Sequence, residues 1–145
     1  MTSVEKIAFL ENVPLFSGMA TQELIYVAGI VQEDAFPAGA TVIREEDAGD
    51  AMFIVVDGEL MVHRRNTQLA KLRSKDFFGE MSILNSEPRS ASVTAVSKCR
   101  LLRIEESDFW QLLIANNSLA VAMVRALVQR LREQLAASKT ASPSM

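Results

Sequence analysis

The stretch DFFGEMSILNSEPRSASV, residues 76–93, carries the most closely spaced set of informative residues in the chain. Gly79 has no Cβ, so it lets the backbone approach a ligand closely. Glu80 opens a short segment with apolar residues at helical spacing, and Pro88 ends that segment just before Arg89. The first N–H groups of a helix have no intrahelical partners and carry the positive end of its dipole. The stretch therefore predicts a cradle for a phosphate group.

The two charged residues of this stretch predict different roles. Because a carboxylate would repel a phosphate, we interpret Glu80 as an acceptor for sugar hydroxyls and Arg89 as the cation that meets the phosphate. The planar guanidinium suits two phosphate oxygens at once. Simpler interpretations stay open for three residues: Arg89 as a surface arginine, Glu80 as a partner of the helix dipole, and Ser82 as a polar residue of the first helical turn.

Seven or more defined positions at fixed spacing make the stretch specific. It resembles the phosphate-binding cassette of cyclic nucleotide-binding domains through two patterns, FGExSxL from Phe78 and PRSASV from Pro88. The resemblance, to catabolite activator protein-like and bacterial cyclic nucleotide-gated channel-like regulatory domains, extends from about Leu10 to about Leu135. It covers nearly the whole chain.

The resemblance implies a ligand, cAMP with cGMP as the alternative, and a set of roles. Glu80 is implied to accept the ribose 2′-hydroxyl, and Ser82 to give a backbone N–H to the cyclic phosphate. Family members with alanine at the position of Ser90 tend to favour cAMP, those with threonine cGMP, and serine occurs in cAMP-responsive bacterial domains. The implied ligand-binding residues of the cassette are Phe78, Gly79, Glu80, Met81, Ser82, Arg89, Ser90 and Ala91.

Length, composition and charge set the limits for the whole chain. Its 145 residues fit one domain with a core of its own. The net charge of −3 and the pI of about 5.2 argue against nucleic acid as the main partner. The single cysteine, Cys99, excludes an internal disulfide. The N-terminus has neither a signal-peptide pattern nor a long apolar block, so we expect a cytoplasmic protein.

The order of patterns predicts a mainly β domain over residues 1–137, an antiparallel β-roll of the jelly-roll-like barrel type with flanking helices. Residues 3–31 read as N-terminal helices, 32–106 as the roll, and 107–137 as a C-terminal helix pair. Asp57-Gly58 is a strong hairpin signal between two strands. Segments 92–96 and 100–104 read as a further strand pair. The small, polar tail 138–145 is expected to be disordered.

The last helix is predicted to pack on the roll through one apolar stripe. Arg130 lies about 80–90° from the centre of this stripe, on its flank. In the family the resemblance names, the final helix moves onto the bound base, so Arg130 is the predicted lid residue, with a solvated surface charge as the alternative. The residues of the predicted stripe are Ala120, Met123, Val124, Leu127, Leu131 and Leu135.

Taken together, the patterns predict a non-enzymatic cyclic nucleotide sensor without cofactor or metal. It would relay ligand occupancy through its last helix to a fused or associated effector, such as a channel, transporter or kinase. No helix-turn-helix follows the long helix, so we expect no DNA binding by this chain. One alternative is a degenerate β-roll that serves as an interaction module. Another, a cupin-type metal enzyme, would need several histidines, and His63 is the only one.

Overall fold

The computed structural model of the chain describes the backbone of residues 1–141 and the side chains of residues 1–137. In this part of the chain five α-helices accompany eight β-strands, and a 3-10 turn at Pro14–Phe16 joins the first two helices. The helices are α1 (Ser3–Glu11), α2 (Thr21–Ile30), α3 (Glu80–Leu84), α4 (Glu106–Ala115) and α5 (Asn117–Ala141). The strands are β1 (Gln32–Phe36), β2 (Thr41–Ile43), β3 (Ala51–Asp57), β4 (Leu60–Arg64), β5 (Thr67–Leu72), β6 (Phe77–Phe78), β7 (Ser92–Ala95) and β8 (Cys99–Glu105).

The strands form two four-stranded antiparallel sheets. Their strand orders are β1-β8-β3-β6 and β2-β7-β4-β5. This arrangement confirms the predicted mainly β roll with helices at both ends of the chain, but the two sheets do not close into a barrel. The two strand pairings that the sequence predicts differ from those of the structure.

The predicted hairpin at Asp57-Gly58 is wrong. Strand β3 pairs with β6 and β8, whereas β4 pairs with β5 and β7, so the chain passes from one sheet to the other at this turn. The predicted pairing of segments 92–96 and 100–104 fails in the same way. Strand β7 joins β2 and β4, while β8 joins β1 and β3. The residues of a turn do not show whether both edges of the preceding strand already pair with other strands.

Strand β3 is buried on both of its faces. All residues from Ala51 to Val56 are buried. Since successive side chains of a strand point to opposite faces, β3 serves two separate cores. The odd-numbered residues of this run lie in a core between the two sheets, and the even-numbered ones lie in a core shared with the helices. Strand β3 is thus the central layer of the molecule.

Helix α5 differs from the prediction in length and in packing. It continues to Ala141, four residues past the predicted end near Ala137, and residues 142–145 of the predicted disordered tail lie outside the described residues. Leu119 and Met123 are buried in the core, but Leu131 and Leu135 are exposed. The single predicted stripe therefore merges two faces of the helix, only one of which packs on the roll.

None of the helices in residues 1–141 is by itself long and apolar enough to cross a membrane. The segments Glu106–Ala115 and Asn117–Ala137, which are bent by 108° relative to each other, pass such a test together by length and composition only.

Candidate ligand-binding site

The cassette begins where β6 ends against the central strand β3. Phe78 pairs with Phe53, and the chain then turns at Gly79, which has φ of 92° and precedes helix α3. A Cβ built on Gly79 would lie 2.9 Å from both the carbonyl oxygen of Ala51 and Nη1 of Arg89. Both the left-handed backbone and the close packing require glycine here. The turn thereby aims the start of α3 at Arg89.

Arg89 lies inside this turn and is 6% exposed. Its Nη1 donates to the carbonyl oxygen of Gly79 at 2.6 Å and to Oγ of Ser82 at 2.8 Å. Its Nη2 donates to the carbonyl oxygen of Ala51 at 2.7 Å. The guanidinium is therefore held by the cassette and by β3 at the same time.

The backbone of Arg89 is fixed by the acidic loop that follows β2. The N–H of Arg89 donates to the carbonyl oxygen of Asp47 at 2.8 Å, and its carbonyl accepts the N–H of Glu46 at 2.7 Å. Burial lowers the pKa of the Arg89 guanidinium, while the charges of Asp50 and Glu80 act in the opposite direction. This loop thus positions the arginine through its backbone.

The charge of Arg89 is incompletely balanced. Within the described residues it makes no ion pair, and its Nε is a buried donor without a hydrogen-bond partner. A buried charge and an unpaired buried donor are both costly unless a partner is supplied. An anion at this position would satisfy both.

Gly49 is a site residue that the sequence analysis missed. A Cβ built there would collide with Oγ of Ser82 and lie 2.8 Å from Cζ of Arg89. The loop after β2 therefore covers the cassette without a side chain at this point. The sequence shows Gly49 only as a loop glycine, because the residues it meets lie far along the chain.

Glu80 forms the second half of the site and is 2% exposed. Arg130 of helix α5 reaches it: Nη1 donates to Glu80 Oε1 at 2.7 Å, and Nη2 donates to the carbonyl oxygen of Phe77. The guanidinium carbon also lies 4.0 Å from the centroid of the Phe77 ring. Burial raises the pKa of Glu80, and the charge of Arg130 partly opposes this rise. Helix α5 is thus attached directly to the cassette.

The position of Arg130 on the helix corrects the prediction that it flanks the stripe. On a helical wheel it lies about 20° from the buried Met123, in the middle of the face that packs on the roll. The predicted stripe placed it on the flank because that stripe included the exposed residues Leu131 and Leu135. On this face of the helix, Arg130 can contact the cassette.

The remaining predicted residues are placed differently. The Phe78 ring stacks on Phe53 in the core, with centroids 5.1 Å apart, and the Met81 side chain is 60% exposed. Ser90 is exposed, and its carbonyl oxygen accepts Nε of Arg64 at 3.0 Å. Ala91 is half-buried. The contacts described here join the following predicted residues: Gly79, Glu80, Ser82, Arg89 and Arg130.

The chain belongs to the family of cyclic nucleotide-binding domains, whose profile matches residues 33–116. It is 35% identical over 108 residues to a cAMP-dependent protein kinase regulatory subunit of Aspergillus fumigatus, a match that covers 73% of this chain and 26% of that protein. A cyclic nucleotide-gated potassium channel of Mesorhizobium japonicum is 33% identical over 118 residues, with 81% of this chain and 33% of the channel covered. The chain thus spans about a quarter to a third of the length of these relatives.

The fold of the chain also resembles that of solved structures. The regulatory domain of Toxoplasma gondii PKA, solved with cAMP, superimposes with a TM-score of 0.78 at 26% sequence identity. This match covers 86% of the present chain and 49% of the Toxoplasma chain. The family match favours a nucleotide-binding domain over the alternative of a degenerate interaction module. In the described part of the chain, no group of three or more histidine, cysteine, aspartate or glutamate side chains could hold a metal ion.

Proposed function

We propose that this chain binds a cyclic nucleotide, cAMP in preference to cGMP, and performs no chemistry on it. The observation that carries the proposal is the buried Arg89, which has no ion pair within the described residues and an unpaired Nε. A cyclic phosphate is a monoanion with two free oxygens, which matches the guanidinium fork. Its binding would replace contacts that Arg89 now makes to backbone carbonyls.

The phosphate half of the proposed site consists of Gly79, Ser82 and Arg89. Ser82 already accepts a hydrogen bond from Arg89 and lies at the start of α3, where the first backbone N–H groups of a helix have no partner within the helix. Phe78, Met81 and Ala91 would contribute through their backbone rather than their side chains, since the Phe78 ring packs in the core and the Met81 side chain points to solvent.

The ribose half consists of Glu80 and Arg130. Arg130 occupies Oε1 of the carboxylate, and we assign Oε2 to the ribose 2′-hydroxyl. Burial raises the pKa of Glu80 and the charge of Arg130 opposes that rise, which favours the charged carboxylate, the stronger acceptor. Since Arg130 belongs to α5, occupancy of the ribose position would bias the position of this helix. A fused or associated effector would then read that position.

The preference for cAMP has two supports. The matched kinase regulatory subunit is named for cAMP, and the Toxoplasma structure was solved with cAMP. Ser90 follows Arg89 directly and is exposed. A cGMP preference would require the Ser90 hydroxyl to serve as the guanine contact.

Calorimetry of the full chain against cAMP, cGMP and 5′-AMP tests the proposal. We expect saturable binding of cAMP, weaker binding of cGMP, and loss of binding for 5′-AMP, because the open phosphate has a different charge and shape. Absence of binding for both cyclic nucleotides at millimolar concentration would overturn the proposal. Tighter binding of cGMP would overturn the assigned preference alone.

A further inference from the structure

Helix α5 carries a second apolar face that nothing in the described chain covers. Its side chains are between 44% and 61% exposed, although they are large and apolar. This face is centred about 120° away from Met123, the middle of the face that packs on the roll. The residues, here named the α5 seam, are Val121, Val124, Val128, Leu131 and Leu135.

The α5 seam has the spacing of a coiled-coil interface. Its residues follow one another at intervals of 3, 4, 3 and 4 positions, which assigns them alternately to a and d of a heptad. A strict a/d repeat is the pattern by which one helix packs along another, and this one runs for about 21 Å of helix. An exposed, continuous apolar strip of this kind marks an interaction surface. Its shape fits a second helix.

The two borders of the α5 seam differ in charge. At the e positions lie Arg125 and Arg132, both exposed. At the g positions lie Ala120, Leu127 and Gln134, of which Leu127 packs against the chain's own core. The g border therefore lies against the roll only at Leu127, and the e border is exposed and basic.

A second copy of the chain would be a poor occupant of this surface. In a parallel pair Arg125 would face Ala120 and Arg132 would face Leu127, and neither of these g residues provides a carboxylate. In an antiparallel pair the arginines at e would face one another, and like charges repel. Neither arrangement supplies a countercharge for Arg125 and Arg132.

We propose that the α5 seam docks an amphipathic helix with acidic borders, supplied by the effector protein. Leucine or isoleucine at a and d of that helix would cover the seam, and glutamate at its borders would pair with Arg125 and Arg132. The proposal does not depend on nucleotide binding, because this face lies away from the one that carries Arg130. The same helix would thus meet the cassette on one side and the effector on the other.

Two synthetic three-heptad peptides serve as probes against the full chain, without nucleotide. Both carry leucine at a and d; one carries glutamate and the other lysine at e and g. Fluorescence anisotropy at low salt should give about tenfold tighter binding of the acidic peptide, and the difference should shrink at high salt. The double variant Arg125→Glu/Arg132→Glu should reverse the preference.

A second pair of variants tests the apolar part of the surface. Val124→Gln/Leu131→Gln should abolish binding of the acidic peptide, whereas Val4→Gln, a matched change of an exposed residue in α1, should leave it unchanged. Circular dichroism checks that each variant is folded. Equal affinity for the two peptides, or no effect of the charge reversal, would overturn the proposal. So would light scattering that shows a dimer of the wild-type chain that Val124→Gln/Leu131→Gln dissociates, since the occupant would then be a second copy.

Discussion

Arg89 and Arg130 contact neighbouring parts of the same cassette, but the molecule holds them in different ways. Arg89 is buried within the roll, and both its backbone and its guanidinium are bound by other segments. Arg130 is a third exposed and reaches the cassette from a helix. Under the proposed function, binding and relay would therefore be separated: the roll would fix the phosphate partner, while the partner of Glu80 belongs to α5.

The packing of α5 explains why Arg130 suits a relay. Beyond Leu127 the large apolar residues of the helix with described side chains, Val128, Leu131 and Leu135, are exposed. The contacts of Arg130 with Glu80 and Phe77 attach the distal helix to the cassette. Segments with few buried apolar contacts open at low free-energy cost. Under the proposed function, a change at Glu80 would be transmitted to this part of α5.

The largest expected effect is at Arg89. Arg89→Glu replaces the phosphate partner with a repelling charge, and we expect cAMP affinity to fall by at least about 3 kcal/mol, more than a hundredfold. Calorimetry measures the loss, and circular dichroism checks the fold. Lys98→Glu, the same charge change in the exposed turn before β8, is the control and should bind normally. A folded Arg89→Glu variant with wild-type affinity would disprove the role of the cassette.

A substitution of Glu80 tests the ribose half of the proposed site, because its effect should differ between cAMP and 2′-deoxy-cAMP. Glu80→Ala should weaken cAMP binding by roughly 1.5–3 kcal/mol, the range for a hydrogen bond to a charged group. It should hardly change binding of 2′-deoxy-cAMP, because that analogue lacks the hydroxyl. Equal losses for both ligands would mean that Glu80 acts through the geometry of the cassette and not through the ribose.

Gly49 tests whether the covering loop must approach Ser82 and Arg89 closely. Gly49→Ala should destabilise the fold by about 1–3 kcal/mol through overpacking and should weaken cAMP binding. Urea denaturation measures the first effect and calorimetry the second. Gly29→Ala in α2, where no heavy atom lies within 4 Å of the added Cβ, is the matched control and should be neutral or slightly stabilising. If the two variants have the same stability and the same cAMP affinity, the close approach of the loop at Gly49 does not contribute to ligand binding.

Arg130 should give the smallest change in affinity. Arg130→Ala should weaken cAMP binding by about 1–2 kcal/mol, since Glu80 loses its partner and the helix its attachment. Burial already raises the pKa of Glu80 and Arg130 opposes the rise, so removal of the cation should raise this pKa further. NMR titration of the Glu80 carboxyl group measures that direction. Arg132→Ala, on the exposed side of α5, should change neither quantity, and an unchanged Glu80 pKa in Arg130→Ala would contradict the ion pair.

The sequence predicted the parts of this molecule that depend on neighbours along the chain. The turn at Gly79, the short helix after it and the placement of Arg89 follow from local spacing, and the cassette was identified for that reason. Strand pairing was not predictable at Asp57-Gly58, because the partners of β3 depend on which edges of the sheet are free. The part of Gly49 depends on contacts with Ser82 and Arg89, which only the folded chain creates.

The sequence also does not show which face of helix α5 packs on the roll. Periodicity detected its apolar residues, but a run of valines and leucines does not state which of them face the roll. The burial of Leu119 and Met123 decides this, and it places Arg130 against the cassette rather than on a flank. Val124, Leu131 and Leu135, which the sequence had assigned to the packed stripe, lie instead on a separate exposed surface.

Hydrogen exchange with and without cAMP tests whether Arg89 serves ligand binding while Arg130 connects the ligand site to α5. In the wild-type chain, cAMP should slow amide exchange both in residues 77–93 and in the distal part of α5, residues 127–137. In Arg130→Ala, protection of the cassette should remain and protection of the distal helix should be lost. Protection confined to residues 77–93 in the wild-type chain would contradict the account, since the helix would then not respond to the ligand.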